Sequence, residues 1–257
     1  MDDFKGKIVL VTGGSKGIGF ACAKHFLAEG ARVVISSRSL DNIDAALEDL
    51  PGAMGFSADV SDEGAAAALV DWVEHDVGPI DVLVNSAGAA KRSPPADLTP
   101  AHWRDAMDAK FFSTINVVDP VVKLMAARKS GVIVTIIGSG GKVASPVHLA
   151  GGSANAALML ATAGLGNAYA ASGVRVVGIS PGLTETGRVT EGMTADARLA
   201  GITVDEAIAR SVQKIPMGRF AQPEEVADLA LFLASDKARY LTGITITMDG
   251  AQYPVVV

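Results

Sequence analysis

Short, almost wholly apolar segments alternate with longer amphipathic ones along most of the chain, and this alternation limits the possible folds more than any other feature. Seven segments rich in β-branched residues are predicted strands, at 7–12, 31–36, 53–58, 80–85, 131–137, 174–179 and 243–248. Near-continuous apolar strands are typical of parallel sheets covered on both faces. Helical periodicity lies between them, at 17–29, 62–76, 100–129, 152–172 and 223–234. The alternation predicts an α/β fold with a doubly wound, seven-stranded parallel sheet.

The domain organisation is predicted to be simple. The 257 residues contain no internal repeat, low-complexity tract or linker-like shift in composition, so we expect a single domain over 1–257. The glycine-rich segment 181–222 interrupts the alternation and is expected to be irregular. Within it, residues 183–217 are predicted to form a mobile lid over the ligand cleft.

Composition excludes several functional classes. The formal charge is −6 and no basic run is interleaved with aromatic residues, which argues against a nucleic-acid partner. Cys22 is the only cysteine, which excludes an internal disulfide and fits a reducing compartment. No apolar run approaches the roughly 20 residues of a membrane span, and the N-terminal one is too short for a signal peptide. The four histidines lack metal-ligand spacing. We therefore expect a cytoplasmic protein without a metal or a membrane partner.

A glycine-rich loop, "VTGGSKGIGF", follows the first predicted strand and opens the first predicted helix. Its glycine spacing lets the chain turn tightly, so that the backbone can approach a pyrophosphate while the helix N-terminus offers N–H donors. Between a strand and a helix, within a complete α/β alternation, such a loop predicts a Rossmann-type dinucleotide site. The loop residues expected to line that site are Gly13, Ser15, Lys16, Gly17, Ile18 and Gly19.

The end of the second strand predicts which dinucleotide is bound. NAD sites usually have an acid there, whereas this chain has Ser36 and Ser37 followed by Arg38. An arginine can pair with a 2′-phosphate, and Lys16 can add a second positive charge. The residues therefore favour NADP(H) over NAD(H). The alternative is that Lys16 and Arg38 are ordinary surface cations.

Several motifs together resemble the classical short-chain dehydrogenase/reductase family, including its 3-oxoacyl-carrier-protein reductase-like members. They are "TGGSKGIG" (12–19), "DV" (59–60), "NSAG" (85–88), "SPG" (180–182) and "GRFAQPEEVADLALFLASDKARYLTGITITMDG" (218–250). The resemblance implies that Asp59 holds the adenine and that Thr186 contacts the nicotinamide half. Further cofactor contacts that it implies are Ser37, Val60, Asn85, Ala87, Gly88, Pro181, Gly182 and Thr184. It also implies a small-molecule carbonyl or alcohol substrate, and a homodimer or homotetramer through the two long helices.

The catalytic positions of the family are all altered. The family uses an asparagine, a serine and a Tyr-x-x-x-Lys pair, and this chain has Lys110, Gly138, Gly151 and Asn155 at the matching positions. None of its three tyrosines precedes a lysine by four residues, so no shift of alignment restores the pair. The usual proton donor is therefore missing.

Three residues are candidates to replace the missing groups. Lys110 could supply the positive charge from the opposite helix, and burial would lower its pKa and make it an acid or base. The alternative is that it points outward or pairs with Asp105 or Asp108. His148 titrates in a suitable range, or is simply a solvated loop residue. Ser139 could take the lost serine's role after a one-residue bulge, or bond only its own backbone.

Three functions stay open at this point. In the first, the chain is an NADP(H)-dependent oxidoreductase whose acid is Lys110, His148, water or the substrate. In the second, it is an inactive NADP(H)-binding subunit, scaffold or sensor, alone or with an active paralogue. It could also be a lyase or hydratase. The intact glycine loop and Arg38 argue against an abandoned cofactor site, which favours the first two functions over the third, and of those two we favour the oxidoreductase. Gly151 and Gly152 are expected to leave space for a bulkier substrate where a phenol ring would sit.

Overall fold

The sheet organises the molecule. The computed structural model describes residues 3–88 and 90–255, and within them seven parallel strands have the order β3-β2-β1-β4-β5-β6-β7. The strands are β1 (Ile8–Thr12), β2 (Arg32–Ser37), β3 (Met54–Ser57), β4 (Ile80–Asn85), β5 (Gly131–Ile136), β6 (Val174–Pro181) and β7 (Ile244–Met248). The predicted doubly wound parallel sheet is confirmed. The strand order reverses between β1 and β4, and ligands of such sheets bind at the carboxyl ends beside that point.

Helices cover both faces of the sheet. They are α1 (Gly17–Ala28), α2 (Leu40–Glu48), α3 (Glu63–Trp72), α4 (Pro100–Ala106), α5 (Ser113–Arg128), α6 (Leu149–Tyr169), α7 (Gly187–Ala200), α8 (Val204–Val212) and α9 (Pro223–Ala234). A π-helical turn, Met107–Phe112, joins α4 to α5. No helix in the described part of the chain is long and apolar enough to cross a membrane.

The inner strands β1, β2, β4, β5 and β6 are largely buried, which explains their continuous apolar runs. On one face, Val9 and Val11 of β1 pack in a cluster with Phe26 of α1 and Leu233 of α9. On the other face, Leu10 lies in a second cluster, which includes apolar residues of α3 and α5. Burial of a leucine- or phenylalanine-sized side chain contributes roughly 1.5–3 kcal/mol, so both faces stabilise the sheet. The result is a rigid platform at whose carboxyl edge loops converge.

The segment 181–222 is more regular than the sequence indicated. The expectation of an irregular segment is wrong, because the segment contains α7 and α8. Its glycines lie mostly where a helix tolerates them: Gly187 begins α7, and Gly201 ends it with a left-handed φ of 63°. The two helices enclose a small apolar cluster built on Met193, Ile215 and Phe220. That residues 183–217 act as a mobile lid stays a prediction.

Helix α2 was absent from the sequence-based prediction. Its sequence, "LDNIDAALE", buries only Ile43 and Ala46, so its apolar stripe is too short to give a clear helical period. Ser39 begins the helix, and its side chain accepts a hydrogen bond from the Asn42 backbone N–H. A serine at this position satisfies one of the free N–H groups of the first turn.

Candidate functional site

The glycine loop packs so closely that side chains are excluded. Gly13 has a left-handed φ of 66°, and a Cβ added there would lie 2.8 Å from the Ala87 backbone nitrogen. A Cβ at Gly19 would collide with the Gly13 carbonyl. No side chain caps the N-terminus of α1, which begins at Gly17. The loop therefore brings bare backbone and free N–H donors to one surface, and this arrangement fits the diphosphate of a dinucleotide.

The end of β2 forms the next part of the groove. The Arg38 carbonyl accepts a hydrogen bond from Ser57 Oγ, and in the described residues the Arg38 guanidinium forms no ion pair. Asp59 Oδ1 accepts bonds from the backbone N–H and the hydroxyl of Ser61. These bonds, and to a smaller extent the charge of Arg38, hold the pKa of Asp59 below its usual value. Asp59 is thus a carboxylate at neutral pH, and Arg38 keeps donors for a ligand.

The segment after β4 continues the groove towards the helices. The Ala87 N–H donates to Thr12 Oγ1 at 3.3 Å. Asn85 is buried, and its Oδ1 has no partner although its Nδ2 donates to Thr135. Gly88 has a φ of 113°, and a Cβ there would lie 3.3 Å from Lys110 Cα. Residues 85–88 therefore connect the glycine loop directly to the turn that carries Lys110.

The segment after β6 passes over the glycine loop. Pro181 ends β6, the Gly182 N–H donates to the Met248 carbonyl, and Thr184 forms an isolated bridge with Ala221. The Thr186 methyl group lies 3.3 Å from where a Cβ on Gly17 would be. The segments predicted to bind the cofactor thus meet along one groove at the carboxyl edge of the sheet. Their role as cofactor contacts stays a prediction.

Lys110 points into the protein. It lies on the π-helical turn Met107–Phe112, a feature often found at functional sites, and its Nζ donates to the Ile137 carbonyl at 3.4 Å. In the described part of the chain it forms no ion pair with Asp105 or Asp108. Burial, and then the positive charge of Arg188, lower its pKa to about 8. Lys110 is therefore a cation that loses its proton near neutral pH.

Asn155 of α6 reaches the same end of β5 as Lys110. Its side chain is buried, and Nδ2 lies 3.5 Å from the Gly138 carbonyl, while Oδ1 has no partner. Lys110 and Asn155 therefore reach successive carbonyls, Ile137 and Gly138, just after β5. That the ammonium and the amide exchange roles in one catalytic site stays a prediction.

His148 occupies the space beside Gly151. A Cβ at Gly151 would lie 2.6 Å from His148 Nε2 and 2.8 Å from the Ala90 Cβ. A Cβ at Gly152 would lie 2.8 Å from the Gly140 carbonyl oxygen. The expectation that the two glycines leave space for a bulkier substrate is therefore wrong, because the imidazole and the adjoining loop already fill it.

The environment of the His148 ring is partly apolar and positively charged. Its Nδ1 is buried without a hydrogen-bond partner, so His148 is not a freely solvated loop residue. Burial, followed by the charges of Lys110 and Arg92, lowers its pKa to about 4. The ring is therefore neutral at pH 7. A neutral imidazole next to an ammonium can accept and donate hydrogen bonds to a ligand oxygen.

Ser139 lies in the loop after β5, and its described contacts do not connect it to Lys110 or His148. It begins a short turn, Ser139–Gly141, in which its carbonyl accepts from the N–H groups of Lys142 and Val143. Within the described residues its hydroxyl makes no hydrogen bond to Lys110 or His148. A catalytic role for Ser139 stays a prediction without support from these contacts.

Two arginines at the cleft were missed by the sequence analysis. Arg188, in the first turn of α7, donates to the Gly88 carbonyl at 3.0 Å. Arg92, in the segment after β4, pairs with Asp196 of α7 at 3.0 Å. Each follows a recognised motif by a few residues, "NSAG" for Arg92 and Thr186 for Arg188. Closeness to a motif was thus the only available signal, because the sequence does not indicate which way the side chain of an isolated arginine points.

The described residues contain no cluster of His, Cys, Asp and Glu that could hold a metal ion. What the site offers chemically is proton transfer and charge. A lysine that titrates near pH 8 and a neutral histidine lie at one end of a groove that fits a dinucleotide. Such a pair can stabilise a developing oxyanion and exchange a proton with it.

Comparison with known proteins covers nearly the whole chain. A family model described as enoyl-(acyl carrier protein) reductase matches residues 13–251. The cis-4-hydroxycyclohexanecarboxylate dehydrogenase of Sinomonas cyclohexanicum is 34% identical over 251 residues, which are 96% of each chain. The 3-oxoacyl-[acyl-carrier-protein] reductase FabG of Escherichia coli is 31% identical over 255 residues, covering 98% of this chain and 100% of the reductase.

A solved structure agrees with these relatives. A variant of the actinorhodin polyketide ketoreductase, solved with NADPH, superposes with a TM-score of 0.94 at 28% identity, and the match covers 99% of both chains. The strand order, the glycine groove and the matching family model all lead to one assignment. The chain belongs to the classical short-chain dehydrogenase/reductase family of oxidoreductases.

Proposed function

We propose that the protein is an NADP(H)-dependent oxidoreductase that interconverts a carbonyl and an alcohol on a small molecule. Lys110 gives and takes the proton, and His148 forms a hydrogen bond with the substrate oxygen. One observation carries the proposal: the His148 ring fills the space beside Gly151, where the family has its tyrosine, and it lies close enough to Lys110 to feel its charge. The imidazole thus occupies the place of the missing acid, near the lysine that would exchange the proton.

The proton chemistry follows from the two pKa values. Bound NADP(H) supplies or accepts a hydride at the substrate carbon. In reduction the substrate oxygen gains negative charge, and the Lys110 ammonium, with a pKa of about 8, is protonated at pH 7 yet acidic enough to donate. Of its three N–H donors, one reaches the Ile137 carbonyl, and two remain for the oxygen. In oxidation the neutral amine takes the alcohol proton.

His148 acts differently because its pKa is about 4. At pH 7 about one ring in a thousand carries the second proton, so the imidazole is a poor proton donor. A neutral imidazole still accepts or donates a hydrogen bond, so the ring can hold a substrate hydroxyl instead. We therefore assign positioning of the oxygen to His148 and proton transfer to Lys110.

The proposed preference for NADP(H) rests on the cations at the adenosine end. Arg38 follows β2 directly and makes no ion pair in the described residues, while the nearby Asp59 carboxylate is engaged by Ser61. Lys16 lies in the glycine loop, so both cations can reach a 2′-phosphate. The similar ketoreductase was solved with NADPH, which agrees with this preference.

We propose self-association through the two long helices, α5 and α6. Leu160 of α6 is 77% exposed and Leu124 of α5 is 36% exposed, so each helix leaves an apolar side chain on the surface. Apolar side chains on adjacent helices favour a protein interface over solvent. A dimer, a tetramer or a mixed assembly with an active paralogue would each cover them.

The test begins with binding and continues with turnover. NADPH and NADH are titrated by fluorescence, and a panel of 3-oxoacyl thioesters, ring ketones and hydroxy- or oxo-carboxylates, chosen from the names of the relatives, is then assayed. We expect Lys110→Met to lower kcat by about 10²–10⁴. Lys24→Met, which removes an exposed lysine of α1, is the matched control and should leave turnover unchanged.

The pH profile separates the roles of the two residues. In the reductive direction kcat/KM should fall as pH rises through about 8, because Lys110 loses its proton there. Lys110→Arg keeps the charge but should abolish this limb. Unchanged turnover in Lys110→Met would refute the assignment of the proton donor. Tight NADPH binding with no turnover across the panel would favour an inactive binding subunit, and turnover without any redox change of the cofactor would favour a lyase or hydratase.

A further inference from the structure

We propose that Arg188 binds the diphosphate of NADP(H), so that the first turn of α7 closes over the middle of the cofactor. The proposal rests on the dinucleotide of the proposed function but not on its redox step. Arg188 was not among the residues that the family motifs indicated.

The first turn of α7 spans the groove. On one side, the Thr186 methyl group packs near Gly17, at the N-terminus of α1. On the other side, Arg188 NH1 donates to the Gly88 carbonyl at 3.0 Å. Thr186 and Arg188 are two residues apart, and they touch the two loops that border the dinucleotide groove. The short segment between them therefore bridges that groove.

The charges along the groove indicate what lies beneath Arg188. The charge of Arg188 lowers the pKa of Lys110, and the charge of Arg38 lowers the pKa of Arg188. Together with its bond to the Gly88 carbonyl, this puts Arg188 near both the site of proton transfer and the adenosine end. In a dinucleotide the diphosphate lies between the two nucleosides, so the phosphates and Arg188 share the middle of the groove.

The guanidinium is free to bind an anion. Glu191 favours its charge electrostatically, but within the described residues no carboxylate forms an ion pair with it. Of five N–H donors, one is used by the Gly88 carbonyl. That bond fixes the plane of the group and leaves its other donors available. A planar fork of donors matches phosphate oxygens, and the free N–H groups of α1 would bind the opposite side.

A set of ligand fragments tests the assignment without an activity assay. Dissociation constants are measured for NADPH, NADH and adenosine 2′-monophosphate, which has no diphosphate. We expect Arg188→Met to weaken NADPH and NADH alike, by roughly 10- to 100-fold, and to spare adenosine 2′-monophosphate. Arg38→Met should weaken NADPH and adenosine 2′-monophosphate and spare NADH. Arg198→Met, an exposed change in the last turn of α7, is the control and should alter none of them.

Two further readouts keep the proposal falsifiable. Arg188→Lys keeps the positive charge but lacks the planar set of guanidinium N–H donors, so its loss of NADPH affinity should be intermediate. Thermal unfolding checks that each variant is folded. In the wild type, but not in Arg188→Met, NADPH should slow hydrogen exchange of the α7 amides. Unchanged NADPH affinity in Arg188→Met, or an equal loss for adenosine 2′-monophosphate, would overturn the proposal. If the Arg188 effect is found but no substrate is turned over, only the redox function fails; if wild-type protein binds no NADPH, both fail.

Discussion

Lys110 should make the folded protein less stable than it would be with an uncharged side chain at that position. Its ammonium is desolvated and near another cation, and its single hydrogen bond, to the Ile137 carbonyl, is long at 3.4 Å. A group held for catalysis in this way is expected to reduce stability. Lys110→Met, which keeps the length of the side chain, should therefore stabilise the fold while it removes activity.

The pKa gives the size of the effect. A fall from 10.5 to about 8 corresponds to roughly 3 kcal/mol of unfavourable free energy for the charged form. The weak bond to Ile137 and partial exposure to solvent reduce this, so Lys110→Met should gain about 2–3 kcal/mol at pH 7. Below pH 8 both the folded and the unfolded protein carry the proton, and the full penalty applies. As pH rises from 8 to 10.5 the folded protein loses the proton first, and the difference between the variants disappears.

Denaturant unfolding of both proteins at pH 7, 9 and 10.5 measures this difference. At pH 7 the melting temperature of Lys110→Met should also be higher, by about 4–10 °C. Lys24→Met removes an exposed lysine and should change stability by less than about 0.5 kcal/mol. If Lys110→Met were destabilising at pH 7, or if its advantage did not depend on pH, the ammonium would not be buried as described. The lowered pKa that underlies its proposed role would then be wrong.

Three further predictions concern His148, Gly151 and Leu160. Gly151→Ala should destabilise the wild type by about 1–3 kcal/mol, because its Cβ would collide with His148 and lie 2.8 Å from the Ala90 Cβ; in a His148→Ala variant only the contact with Ala90 remains, so the same change should cost less, which thermal unfolding of the four proteins measures. On going from pH 7 to pH 5 the free energy of unfolding of the wild type should fall by about 1 kcal/mol more than that of His148→Gln, because the pKa of His148 is about 4 in the folded protein and higher in the unfolded protein. Equal decreases in denaturant titrations of the two proteins would contradict the burial of the ring. Leu160→Asp should lower the assembly size in light scattering, whereas an unchanged mass would exclude α6 from the interface.

The sheet and the groove could be predicted because their signals are local. An apolar run such as that of β1 is sufficient by itself to identify a strand that is buried on both faces. The glycine loop is a reliable signal because only glycine fits at positions 13 and 19. The helices α7 and α8 were missed because glycines were taken to indicate irregular chain. In α7 one glycine begins the helix, one lies inside it and one ends it, and their neighbours supply the helical pattern.

The position of His148 was missed for a different reason. The helix was predicted to begin at 152, which left His148 in a loop, whereas α6 begins at Leu149. Residues three apart at the start of a helix lie on the same side, so this small shift brings the imidazole over Gly151. The ends of helices are the least certain part of a prediction from sequence periodicity, and the interpretation of His148 depended on the N-terminus of α6.

Lys110, His148, Gly151 and Asn155 depend on one another, and no single substitution explains the site. With glycine at 151 the imidazole of His148 can lie against the helix backbone, and a larger residue there would displace it. With asparagine at 155 the cation comes from Lys110 instead, and burial, followed by the charge of Lys110, keeps His148 neutral. Restoring the family's lysine alone, by Asn155→Lys, would place a second ammonium beside the first and favour deprotonation of one of them. We therefore expect that Lys110, His148, Gly151 and Asn155 have to be changed together if the site is to keep its charge balance.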